Sequence, residues 1–159
     1  MLEPAIAHKE ELLAKFAKEI YSEKYFYYMG YAYGHTLPEI TDSDDRFQYA
    51  ILDSRGEVVG YLGYYIDPSV DSISRFGLYS FGDKPHLVIG RDLFEKMEEL
   101  YNNHHRLEWR VIDGNPVIKS YDKFCKKHKG QKVCFHDVCL YKDGSRRNDY
   151  VYEVINPNK

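Results

Sequence analysis

With 159 residues, 43% of them hydrophobic, the chain is long enough for one domain with a real core and too apolar to be disordered throughout. A formal net charge of −3 and an isoelectric point of about 6.2 argue against a nucleic-acid protein driven by counterion release, leaving only a local basic run at Lys126-Lys127-His128-Lys129. No apolar run approaches the roughly 20 residues that cross a bilayer, and the start, MLEPAIAHKEELL, lacks the basic opening and apolar centre of a secretory signal, so a cytoplasmic protein away from membranes is expected.

Residues 8–28 are expected to be one helix: Leu12, Leu13, Phe16, Ala17 and Ile20 recur at helical spacing, with charges on the other face. Rings crowd together from Tyr21 to Tyr33, and Gly30 and Gly34 break or bend that run. Residues 36–45, with Pro38 and many acids, form a loop. Residues 47–53 alternate with Phe47, Tyr49 and Ile51 on one face, Ser54-Arg55-Gly56-Glu57 turns, and residues 58–66 return as the second arm of a hairpin. A further turn around Pro68 leads to a third strand, residues 73–81, which ends in Gly82-Asp83-Lys84-Pro85.

The clearest helix spans residues 88–102, with Ile89, Leu93, Phe94, Met97, Leu100 and Tyr101 as its buried stripe. A fourth strand, residues 107–112, stops at Asp113-Gly114. Asn115 then suits a helix cap and Pro116 the first turn of a helix over residues 116–127. Residues 132–142 and 148–155 read as two closing strands around Asp143-Gly144. The order predicts an α+β or mixed α/β layout with helices packed on a central sheet. Hairpins in place of regular βαβ alternation disfavour a doubly wound nucleotide fold.

The three cysteines, Cys125, Cys134 and Cys139, are an odd number and fit buried or free thiols. Their spacing with His128 and His136 lacks a CxxC pair, and no metal site is expected. Sixteen tyrosines imply a ring-rich core or a cleft lined with hydroxyls. The helix start near Gly90 offers unpaired N–H groups and a dipole to an anion, or it is an ordinary solvated entry. Tyr121 shares a face with Val117 and Phe124, which suits a core aromatic, while its phenol is also a credible proton donor.

Three stretches, FGDKPHLVIGRDLFEKMEEL, EWRVIDGNPVIKSYDKF and KDGSRRNDYVYEVI, in this order of elements resemble the GNAT superfamily of acyl-CoA-dependent N-acyltransferases. The resemblance implies a mostly antiparallel central sheet with splayed middle strands and helices on both faces. It also implies transfer of an acetyl group from acetyl-CoA, the only cofactor, to an unidentified small-molecule or peptide amine. By the same likeness Leu78, Ser80 and Phe81 offer backbone to the pantetheine arm. Lys84, Val88, Gly90 and Arg91 hold the pyrophosphate, Asn115 holds cofactor and water, and Tyr121 is the acid for the leaving thiolate.

The family's phosphate loop has Arg or Gln, then Gly, then Gly or Ala. Here those positions carry Pro85, Val88 and Gly90. The carboxylate that the family often places on the third strand is absent between Asp71 and Asp83, leaving Glu108, Asp67 or His86 to act through water. A non-catalytic module of the same fold, with weak or no CoA binding, is the alternative. A homodimer stays open, and nucleic acid is not expected as a partner.

Overall fold

The computed structural model describes residues 1–30, 36–83 and 87–159, so the expectations placed on Tyr31, Tyr33, Gly34, Lys84, Pro85 and His86 lie outside the described residues. A short strand β1 (Leu2–Pro4) leads through a single 3-10 turn into helices α1 (Lys9–Glu19) and α2 (Glu23–Met29). Strands β2 (Arg46–Leu52), β3 (Val58–Asp67) and β4 (Ser72–Ser80) follow, then α3 (Leu87–Asn103), β5 (Arg106–Ile112), α4 (Ile118–Lys127), β6 (Gln131–Leu140) and β7 (Arg146–Ile155). The expected elements from residue 46 onward are all present, within two residues at each boundary.

Two features differ from expectation. The N-terminal helix is divided in two, because the Ser22 hydroxyl accepts from the Tyr25 N–H (3.2 Å) and starts a new helix. That second helix ends at Gly30, whose φ of +77° lets its N–H reach the Phe26 carbonyl at 2.7 Å. The other feature is β1, too short to show a period, which is held by pairing of Leu2, Glu3 and Pro4 with Ile51, Ala50 and Tyr49.

The strands form one seven-stranded sheet in the order β1-β2-β3-β4-β5-β7-β6. All neighbours are antiparallel except β4 and β5. Alternate side chains send the core to both faces. Leu62, Phe76, Trp109 and Tyr152 pack with Leu93, Met97, Tyr121 and Phe124 of α3 and α4. Tyr61, Tyr79, Ala50 and Leu52 pack with Leu12, Phe16 and Tyr25 of α1 and α2.

The parallel pair positions the site. Ser72, Ile73 and Phe76 oppose Arg106, Leu107 and Trp109, and no β4–β5 pair follows. Beyond that point β4 keeps β3 as its partner, through Gly77 to Ser80, while β5 keeps β7. The two central strands therefore diverge. A bulge at the vertex shifts the register between Ile73 and Phe76, and Arg75 there adopts a φ of +51°.

A candidate acyl-transfer cleft between the splayed strands

The hydrogen-bond phase of β4 decides which backbone groups face the gap. The Phe81 N–H donates to the Val59 carbonyl at 2.9 Å. Residues of an antiparallel strand alternate between facing toward and away from their partner, so the polar groups of Ser80 and Leu78 point away from β3. That is the side from which β5 has departed.

The gap opens into a cleft of about 1210 Å³. Leu78 and Ser80 line one wall, and Val111, Asn115, Val117 and Tyr121 line the other. Gly63 and Gly77, which oppose each other across β3 and β4, leave its floor without side chains. A Cβ on Gly63 would lie 2.8 Å from the Tyr61 hydroxyl, and one on Gly77 would meet the Tyr28 ring at 3.6 Å. Tyr27 and Tyr28 of α2 lie opposite, with Tyr61, Tyr64 and Tyr65 of β3 beside them. Of the ring-rich N-terminal stretch, Tyr25 and Phe26 are instead core residues and Tyr21 is exposed.

Tyr121 is placed by α4, whose buried face also carries Phe124 and Cys125. Its ring lies 5.8 Å from that of Trp109 and 6.0 Å from that of Tyr152. Burial pushes its phenol up, so it stays protonated at neutral pH. Burial likewise raises Tyr28 and Tyr61, the second despite its hydrogen bond from Gln48 at 2.6 Å. The Asn115 side-chain oxygen accepts from the Val117 N–H (3.1 Å), which closes the turn before α4. Asn115 is therefore not the expected helix cap, because α4 starts at Ile118 with Val117 at the cap position and no side-chain cap bond; Asn115 holds the preceding turn and lines the cleft.

The other expected site residues are elsewhere. The Phe81 side chain is buried against Phe16 and Tyr79, and its N–H belongs to β3. Val88, Gly90 and Arg91 lie in the first turns of α3, and none lines the cleft. Gly90 is exposed with open space around it. The Arg91 guanidinium bonds Asp92 at 2.9 and 3.0 Å. Asp92 also takes the N-terminal ammonium at 2.8 Å.

Neither carboxylate offered for water-assisted deprotonation reaches the cleft. Asp67 accepts from Ser69 in an exposed turn, and Glu108 pairs with Arg106 at 2.6 Å. Asp83, near Gly82 and Lys24, is the single carboxylate among the described lining residues. Gly63, Gly77, Arg46 and Arg75 went unnoticed in the sequence. Glycines inside strand patterns were the available signal, since they mark close approach by a ligand or another backbone. The arginines had no local signal.

No family model matches the sequence, and no curated protein does. Solved structures do. A GCN5-related N-acetyltransferase from Kribbella flavida superposes with a TM-score of 0.73 over 98% of this chain and 97% of its own, at 16% identity. The chain has the GNAT fold. The ribosomal-protein-alanine N-acetyltransferase from Brucella melitensis has a TM-score of 0.66, 16% identity, and coverage of 98% of this chain and 99% of its own. A GCN5-related N-acetyltransferase from the same organism reaches a TM-score of 0.61 at 20% identity over 97% of this chain and 74% of its own. The expected mostly antiparallel GNAT sheet with diverging middle strands, and helices on both faces, is present.

Proposed function

We propose that this protein is an N-acyltransferase that moves an acetyl group from acetyl-CoA to an amine by direct attack. The observation that carries the reading is the gap between β4 and β5, into which Leu78 and Ser80 aim unshared backbone groups. Those groups suit an extended amide-bearing arm laid along β4 as an added strand. The Leu78 N–H is then available to polarise the thioester carbonyl.

In the step proposed, the amine nitrogen bonds to the carbonyl carbon while the carbon–sulfur bond breaks. Nitrogen loses a proton and sulfur gains one, giving an amide and free CoA thiol. Tyr121, a neutral phenol beside the gap, donates to the departing sulfur. The cleft phenols with raised pKa values do not serve as bases near neutrality, so the amine proton leaves to solvent. Val88, Gly90 and Arg91 are proposed at the pyrophosphate, with Lys84 as a further cation and Asn115 beside the reacting centre.

Calorimetric titration with acetyl-CoA tests the reading. Saturable binding is expected, and no heat at millimolar ligand would sink it. Two observations favour a second reading, a GNAT-fold module without catalysis. Arg91 is already engaged by Asp92, and only Gly90 keeps the family's phosphate-loop pattern. Saturable binding with no thiol release toward any amine would favour that module.

A further inference from the structure

We propose that the acceptor amine carries an oxyanion, a carboxylate or a phosphate, and that Arg46 and Arg75 hold it. The inference rests on the acyl-transfer reading of the same cleft and adds the chemistry of its acceptor. Among the described lining residues Lys24, Arg46, Arg75 and Arg110 are cationic and Asp83 alone is anionic. Asp83 sits with Gly82 and Lys24 at the end of β4, whereas Arg46 and Arg75 flank the glycine floor. Lys24 and Arg110 are already paired with Glu19 and Asp149, whereas Arg46 meets only an exposed Glu39 and Arg75 has no carboxylate partner among the described residues; cations so placed beside a reacting centre favour a substrate that brings the missing negative charge.

The two arginines converge on one ring. Arg46 is the cross-strand partner of Tyr65, and its guanidinium lies 5.5 Å from that ring's centre; the Arg75 guanidinium lies 5.0 Å from it. Arg75 reaches this place only through the bulge, in a left-handed backbone conformation that a non-glycine residue rarely adopts. It has no salt bridge among the described residues. Arg46 has one, a 3.4 Å contact to Glu39, a side chain 77% exposed and easily displaced. A planar guanidinium held over a ring keeps its donors in place for an oxyanion. Tyr61 and Tyr28, whose rings lie over Gly63 and Gly77, add hydroxyls to the same lining.

The test follows thiol release from acetyl-CoA with matched acceptors: amino acids against their carboxamides, and phosphoethanolamine against ethanolamine. Anionic members are expected to exceed their neutral partners about tenfold or more in kcat/KM. The first pair reads a carboxylate source and the second a phosphate source. Arg75→Gln and Arg46→Gln should each collapse that preference, and Arg75→Lys should restore part of it. Melting curves show that each variant is folded, and the substitution at the second arginine keeps the test open if one variant fails to fold.

A protein that binds acetyl-CoA yet uses neutral partners equally well, or acetylates none of the anionic amines, overturns this inference and leaves acetyl-CoA recognition standing. A preference that survives both arginine substitutions also overturns it. A protein that fails to bind acetyl-CoA overturns both readings.

Discussion

Tyr121 has two separable consequences. Its ring fills the core between Trp109, Phe94 and Tyr152, while its hydroxyl has no partner among the described residues and borders the cleft. Tyr121→Phe keeps the ring and removes only the hydroxyl. Stability by urea denaturation should change by no more than about 0.5 kcal/mol, while kcat falls by roughly a hundredfold, the lower end for a lost general acid. Unchanged kcat would remove the hydroxyl from the chemistry. Gly77 invites the opposite experiment. A Cβ there meets the Tyr28 ring at an ordinary 3.6 Å, so Gly77→Ala should be tolerated. Gly77→Leu pushes a branched chain into the floor of the cleft and should lower kcat/KM by about a hundredfold through misplacement of the reactants. Equal activity in the two variants would show that the floor carries no substrate.

The strand that matters most is β4, because its two edges have different partners along its length. Near Ser72 it pairs with both β3 and β5; beyond Phe76 only with β3. Arg75 marks the change, and its φ of +51° is a conformation that costs an ordinary L-residue roughly 1 kcal/mol. Asparagine tolerates that region and a β-branched residue does not. Arg75→Asn should therefore unfold at a urea midpoint as high as the parent, with Arg75→Val at least about 1 kcal/mol less stable than the Asn variant. Equal stability of the two would mean that the left-handed conformation is not held in solution. The division of the N-terminal helix is a smaller case. Ser22 is a good cap in sequence, but a continuous apolar period through Ile20 masked it.

Across the molecule, the tyrosines give stability a pH limit. Burial raises the phenols of Tyr28, Tyr61, Tyr64, Tyr121 and Tyr152, and the hydrogen bond from Tyr152 to Asp122 raises its phenol further. In the unfolded chain each ionises near about 10. Above that pH the folded state still holds protons that the unfolded state has released, so unfolding is favoured. This stability is complete below pH of about 10 and is lost as pH rises. Thermal melts should show a falling midpoint above that pH, and tyrosinate absorbance should rise further on unfolding. Titration of all 16 tyrosines together near pH 10 in the folded protein would contradict the burial described.

Hydrophobic period and turn residues were enough to find every strand and helix from β2 onward, because those signals act between residues a few positions apart. They also placed Tyr121 on the buried face of α4 and Asn115 at the turn before it. They could not show that β7 inserts between β5 and β6, that β4 and β5 run parallel and part after Phe76, or that Gly63 faces Gly77. Nor could they show that Arg46 and Arg75 meet over one tyrosine. Those facts depend on which strands become neighbours and in which register, and on a single bulge that re-aims one side chain. Local pattern thus sets the kinds of element and their buried faces, while the cleft exists only where packing on both faces draws two adjacent strands apart.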